Sequence, residues 1–296
     1  MGIHDSMTEL NSARSKLLWS RILLILSIVG FFLASMFFRN LIVIVLFIAL
    51  MFLGIKLDGD VGNKYKEIYK RLFVEEPLRK NFDRVYYNWK EGLTEPVVES
   101  FGLCNMGNRF RSEDHIIADY NGIHFEISDV YVAHHSGSGK SSHTTIYFKG
   151  RMMVFNFPDK MVDSVKIFSR NFKHRRNSWI GQKPNKVEME SAQFNKDFDV
   201  LCSNEHDAFY LITPQLIEKL EQLQSKYKSI AIHICGNNAF VGFNEPHNNA
   251  FDPKSNFKET SYPEEMEKVQ ADMDDIKDII TILRDPNTSN DYYKIV

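Results

Sequence analysis

The chain has 296 residues, with 36 basic side chains against 38 acidic ones and a formal charge of -2. This near balance excludes a nucleic-acid protein whose affinity rests on a strong global positive field. At 44% hydrophobic and 25% charged residues, the composition also excludes wholesale disorder, collagen-like repeats and a polytopic transporter.

The hydrophobicity is segregated into the first fifth of the chain. Ile22 to Phe38 is a run of 17 residues without a charge, and Leu41 to Ile55 is another of 15, separated by Arg39 and Asn40. At about 1.5 Å per residue each run falls a little short of a hydrocarbon core of roughly 30 Å. Leu17, Leu18 and Trp19 extend the first run, while Arg21, Arg39 and Lys56 can snorkel toward headgroups. One continuous helix would place Arg39 near the bilayer centre, at a cost of about 2.5–3.5 kcal/mol. A buried soluble pair would need a polar face that neither run has. The reading is therefore a two-helix transmembrane hairpin, retained as an anchor, with no convincing signal-peptidase site. Arg14, Lys16 and Arg21 precede it and Lys56, Lys64, Lys66, Lys70 and Arg71 follow it, against Arg39 alone in the turn. That asymmetry predicts a multi-pass protein of the cell membrane with both termini cytoplasmic. Three widely spaced cysteines, Cys104, Cys202 and Cys235, suit a reducing compartment.

After the hairpin, Asn63 to Asn81 reads as a helix leaving the membrane, with Pro77 either breaking it or beginning a second, and Phe82 to Trp89 reads as another helical stretch. From about His115 the period becomes two. Asn121-Gly122 marks a hairpin, because both central residues of that turn need positive φ. Ile123, Phe125 and Ile127 then alternate with polar residues, and Val130 and Val132 continue one residue out of phase, predicting a bulge near Ser128 or Asp129. Further strands are expected at Thr144 to Phe157, Val162 to Arg170, Val187 to Ser191 and Ile230 to Cys235, with a turn at Asn237-Asn238 into Ala239 to Phe243. Thr213-Pro214 opens a helix whose stripe Leu216, Leu220, Leu223 and Tyr227 packs on the sheet. A last helix, Pro263 to Leu283, carries a heptad seam of Met266, Val269, Met273, Ile276, Ile280 and Leu283. Docking on the protein's own core and partner or self-association both explain that seam. The residues after Asp285 read as a loose tail.

The fold class is thus α+β: an N-terminal two-helix transmembrane hairpin followed by an antiparallel β-sheet domain with packed helices. The expected organisation is a cytoplasmic N-terminal segment (1–16), the hairpin (17–56), a juxtamembrane helical region (57–100), the sheet domain (101–253), and an amphipathic helix with its tail (254–296).

Several residue groups invite chemistry. His134 to Ser141 ends in Gly-Lys-Ser like a phosphate loop, but strands on both sides make it a Gly/Ser hairpin tip. His134, His135 and His143 with Asp129 offer metal ligands, although adjacent histidines on a strand point to opposite faces. Cys202, His206, His233 and Cys235 could form a tetrahedral metal site, since His233 and Cys235 share a strand face, but their spacing matches no standard zinc knuckle. Arg170, Lys173, His174, Arg175 and Arg176, with Lys183 and Lys186 around Trp179, form the densest basic run beyond the membrane flanks. Arg170, Lys173, Arg175 and Arg176 are the candidates for contact with anionic headgroups, against a plain solvated loop. No nucleophile elbow, His-Glu-x-x-His or Gly-x-Gly-x-x-Gly motif is present.

Four segments carry a family likeness: Phe148-Lys149-Gly150; Glu190 to Val200, ESAQFNKDFDV; Ala208 to Leu220, AFYLITPQLIEKL; and Ala239 to Phe243, AFVGF, with Phe251 after it. On these the chain resembles the bacterial membrane-anchored family known as domain of unknown function 3137, from the hairpin to about Pro253, with the final helix outside the likeness. The resemblance implies an N-terminal hairpin before a soluble α+β domain and no established activity.

The expected function is a non-enzymatic interaction or scaffold module at the inner face of the membrane. Its expected partners are the lipid bilayer and, through residues 263–283, a protein or a second copy. No catalytic residue, cofactor or nucleic acid is implied. The alternative is a membrane-tethered enzyme or metal-binding domain using Cys202, His206, His233 and Cys235.

Overall fold

The structure is a computed structural model, and it describes residues 3–38, 41–159, 161–176, 184–227, 229–245, 251–253 and 259–284, without the side chains of Phe37, Phe38, Leu41 and Lys140. Arg39, Asn40, Trp179, Lys183 and the tail after Asp285, all named above, lie outside the described residues. The fold is α+β, with two apolar N-terminal helices and a nine-stranded antiparallel sheet among the described residues. The chain divides into two compact units: Met1–Lys80 with Phe251–Asp272, and Asn81–Ala250 with Met273–Val296.

The first unit is helical. Helix α1 (Ile3–Leu33) runs into a π-helical turn, Ala34–Phe38, and α2 (Leu41–Lys70) returns alongside it. Both are long and apolar enough to cross a membrane. Their apolar residues point outward: Leu26, Phe32, Ile42, Leu46 and Phe52 are all more than half exposed. The helices approach through small residues, as transmembrane pairs do. A Cβ at Gly30 would strike the ring of Phe47, and one at Gly54 would lie 3.2 Å from Leu24 Cδ1. Where the apolar runs end, Asp58 accepts a hydrogen bond from Ser20 Oγ at 3.0 Å and pairs with Arg21 at 3.4 Å. Beyond that point the helices become amphipathic. Leu10, Ala13 and Leu17 pack with Tyr65, Ile68, Tyr69, Leu72 and Phe73, and with Met266 and Val269 of the last helix, α8 (Tyr262–Arg284). Tyr69 donates to Glu265 at 2.8 Å, and Lys70, 1% exposed, pairs with Asp252 at 3.1 Å. A second π turn, Arg71–Glu75, precedes α3 (Glu76–Asn81). Helical structure therefore continues through Pro77, directly after the π turn.

In the second unit the strands are β1 (Asp83–Asn88), β2 (Arg109–Tyr120), β3 (Ile123–Ser136), β4 (His143–Asn156), β5 (Val162–Ser169), β6 (Asn185–Val187), β7 (Phe198–Cys202), β8 (Ile230–Gly236) and β9 (Asn238–Asn244). Their order is β1-β2-β3-β4-β9-β8-β5-β7-β6, every pairing antiparallel. Helices α4 (Glu95–Ser100), α5 (Ala192–Asp197), α6 (Glu205–Leu211) and α7 (Pro214–Tyr227) complete it.

Four local expectations are corrected, one of them the strand at Val187 to Ser191: β6 ends at Val187, and the Met189 backbone bonds the Asn195 side chain instead. Phe82 to Trp89 holds a strand, not a helix, so the region 57–100 is not helical throughout: Val85, Tyr86 and Tyr87 are strand formers, and β2 offers them an edge. The phase change in β3 is not a bulge at Ser128. Strand β3 pairs with β4 without interruption there, and the extra residue lies in β2, between Glu113 and Ile116, where Asp114 has a φ of 59°. Strand β3 is instead buried on opposite faces in its two halves. Ile123, Phe125 and Ile127 lie on one face, and Ser128, Val130 and Val132 on the other, where Ser128 Oγ accepts from the Leu93 amide at 3.1 Å. The second hairpin turns at Gly236-Asn237, one residue early, because Gly236 supplies the φ of 62°. At the first hairpin Asn121 and Gly122 do take positive φ, 50° and 80°.

The register assigns each face. Leu93, Val98, Phe101 and Leu103 pack on Val130, Val132, Phe148, Met152, Phe168 and Ala231. On the other face Tyr227 of α7 stacks on Phe243 of β9 with centroids 4.1 Å apart. Leu216, Leu220 and Leu223, the rest of the α7 stripe, are buried. Helix α8 is held to α7 by charge. Lys219 Nζ lies 2.9 Å from Asp275 and 2.8 Å from Asp278, and Tyr227 Oη donates to Asp275 at 2.9 Å. The seam residues Met273, Ile276, Ile280 and Leu283 are buried within the chain, and Met266 and Val269 are half-buried.

Candidate functional site

Strand β5 reads Val-Asp-Ser-Val-Lys-Ile-Phe-Ser, a lysine inside an apolar strand. Its register sets Lys166 between Leu201 of β7 and His233 of β8. Alternation then puts Ser164, Lys166, His233 and Cys235 on one face. Val165, Cys202 and Ile234 share the next row and point to the other.

The end of α4 covers the first face. Its chain leaves through Gly102, whose φ of 63° is the left-handed conformation that glycine supplies after a helix. The terminal carbonyls find donors below them. Phe101 O accepts from His233 Nδ1 at 2.8 Å, and Gly102 O accepts from Lys166 Nζ at 3.0 Å. A Cβ at Gly102 would sit 3.3 Å from that ammonium and 3.5 Å from the imidazole. Beside this contact opens a cleft of about 680 Å³, whose walls include Glu99, Ser164, Lys166, Arg176, Ser203, His233 and Cys235.

Because a carbonyl only accepts, Nδ1 of His233 carries the proton and Nε2 accepts from Ser164 Oγ at 3.0 Å. Burial drops the His233 pKa to about 4, against the Phe101 bond and aided by the Lys166 charge, so the ring is neutral near pH 7. Burial and the Arg176 charge likewise bring Lys166 down to about 8, opposed by Cys235. Arg176 holds Glu99 at 3.0 Å. The Ser164–His233 pair has the outline of a nucleophile and its base. Its surroundings work against that chemistry: an imidazolium formed there would face the Lys166 cation and be oriented by a carbonyl, not by a carboxylate. The cleft is better arranged to hold a ligand than to abstract a proton.

The structure separates the residues of the expected metal set. His233 and Cys235 line the cleft. Cys202 is fully buried on the opposite face, and His206 is exposed in the first turn of α6, behind the Asn204 cap. Among the described residues no group of three or more His, Cys, Asp or Glu stands together to hold a metal. His134, His135 and His143 lie at the β3–β4 tip, where a short 3₁₀ turn, Gly139–Ser141, leads into a strand and no helix receives a phosphate. His135 Nδ1 bonds Thr144 Oγ1 at 2.9 Å.

The basic run is turned toward acids of its own chain. Arg175 and Lys186 each lie 2.8 Å from Asp199, and Arg170 lies 3.8 Å from it. Burial opposes, but these hydrogen bonds prevail and hold the Asp199 carboxyl below its ordinary range. Lys173 is exposed. Sequence reasoning missed Ser164, Lys166 and Ser203. The lysine at i+2 from a serine within an apolar strand was the available signal, and only the pairing with His233 gives it meaning.

Residues 146–284 match the family described as protein of unknown function, DUF3137. The match includes all four segments singled out in the sequence and also the final helix, which the sequence reading had left outside; it starts in β4, so the hairpin and β1 to β3 lie beyond it. None of the curated proteins matches. Among solved structures the chain is similar to the mycobacterial trehalose monomycolate transport factor A, TtfA, at 10% identity and a TM-score of 0.40, over 73% of this chain and 96% of that one. A likeness at that score supports no inference about function.

Proposed function

We propose that this is a membrane-anchored, non-enzymatic binding protein: α1 and α2 cross the bilayer as a hairpin, both termini face the cytoplasm, and the DUF3137 segment presents the Lys166 cleft to a ligand. The observation that carries the anchoring is the outward apolar surface of both helices, with Trp19, Leu26, Phe32, Leu46 and Phe52 exposed over half their area. In water such a surface is a large uncompensated patch, whereas in lipid it is the expected exterior. The orientation rests on the excess of Lys and Arg at the open end of the hairpin. Protease added to sealed membrane vesicles of known sidedness tests it. Digestion of the sheet unit only when the cytoplasmic face is outward is expected, and digestion only in the opposite vesicles would reverse the topology.

The Ser164–His233 hydrogen bond favours a second reading, a tethered hydrolase. Labelling of Ser164 by a fluorophosphonate, lost in His233→Gln, would establish it; absence of label in the folded protein is the outcome that the low basicity of His233 predicts.

A further inference from the structure

The cleft has a definite chemical preference. Lys166, only 3% exposed as a residue, extends across the sheet face to the cleft wall, where Gly102 fixes its ammonium at 3.0 Å. Arg176 enters from the loop beyond β5 and already holds an oxyanion, the carboxylate of Glu99, at 3.0 Å. That carboxylate is 51% exposed, so it can leave for solvent at small cost. Ser164 and Ser203 add hydroxyls to the same walls, Asp163 lines them as a second acid beside Glu99, and the neutral ring of His233 adds no charge. Two cations around one space, with the Ser203 hydroxyl released from a long 3.4 Å bond to Ser164 O, are donors for a tetrahedral oxyanion, and the guanidinium fork suits two of its oxygens, while the Ser164 proton stays on His233. At about 680 Å³ the space exceeds a bare anion and admits an organic body attached to it.

We propose that this cleft binds a phosphate group carried by a small organic molecule or a lipid head, between Lys166, Arg176 and Ser203, and that Glu99 occupies Arg176 until the phosphate displaces it. The inference deepens the binding reading above and is independent of anchoring, since it is tested in detergent.

The test uses the full chain in mild detergent, titrated with inorganic phosphate at constant ionic strength and followed by calorimetry and by the thermal midpoint. Saturable binding is expected in the parent protein. Glu99→Gln removes the competitor and should tighten it by about tenfold, whereas Arg176→Gln and Lys166→Met should each weaken it at least tenfold. Opposite signs at neighbouring positions are not produced by general loosening of the fold. Since Lys166→Met also removes a support of the α4 end, the half-buried Arg176 and exposed Glu99 variants decide if it fails to fold. No saturable binding in either the parent or Glu99→Gln would overturn the proposal, as would equal affinity in Arg176→Gln. A short-chain phosphatidylglycerol then identifies the source. Competition with phosphate supports a lipid head, and its absence together with phosphate binding supports a soluble ligand; both retain the site, and the anchoring stands whichever is found.

Discussion

The two units solve opposite problems with the same amino acids. In the helical unit the apolar side chains of Leu26, Phe32, Leu46 and Phe52 face outward and the polar contact at Ser20, Arg21 and Asp58 marks where that surface stops. In the sheet unit the apolar residues face inward on both sides, and polar groups that enter the interior find partners there, as Ser128 does in Leu93 and Lys219 in Asp275. Continuous outward apolar surface is thus a property of the helical unit, whereas both units pair buried polar groups, as Lys70 with Asp252 and Lys219 with Asp275. The first predicts dependence on lipid, the second dependence on pH.

The comparison breaks most severely where one large contact is removed. Phe243→Ala deletes the ring stacked on Tyr227 and is expected to destabilise the sheet unit by about 3–5 kcal/mol in denaturant melts. Asp275→Ala leaves Lys219 with Asp278 alone and removes the shared partner of Lys226 and Tyr227, and should cost about 2 kcal/mol in the same assay.

The pH response follows from two kinds of group. Asp119, Asp199, Glu126 and Asp275 have depressed pKa values. Their contribution is present above the ordinary carboxylate range and is lost as pH falls through the folded values. His233 is kept neutral by the fold at a pKa of about 4 against an ordinary 6.5, so the unfolded chain binds a proton that the folded chain does not. Stability therefore falls from pH 6.5 toward 4, and His233→Gln should flatten that limb while leaving the carboxylate limb below it. Smaller effects distinguish the thiols. Burial pushes Cys104 up to about 12 and raises Cys202, so a maleimide should label the half-buried Cys235 first and the other two only on unfolding. At the small end, Arg79→Ala on the exposed Glu75 pair should change stability by no more than about 0.5 kcal/mol.

Periodicity alone revealed the hairpin helices, the α7 stripe and the Asn121-Gly122 turn, because each is specified by residues close in sequence. Strand β1 was misread as a helix because Phe82 to Trp89 has no strict alternation, and its state is set by an edge supplied from β2. The cleft was half legible. His233 and Cys235 were paired correctly by period two, but Cys202 was joined to them although it lies on the other face, a fact that depends on the register of β5 against β7 and β8. Ser164 and Lys166 went unremarked since nothing local distinguishes them from other polar strand residues. The basic run was legible as charge, while its acids, Asp199 and Glu99, come from distant elements.

Alkaline carbonate extraction of membranes containing the full chain tests the central contrast most directly. The parent should remain in the pellet, and Leu26→Arg combined with Leu46→Arg, at about 2.5–3.5 kcal/mol per buried charge, should move the protein to the supernatant or abolish insertion. A parent protein released quantitatively by carbonate, or a doubly charged variant retained as firmly as the parent, would contradict the reading of these helices as a lipid-facing pair.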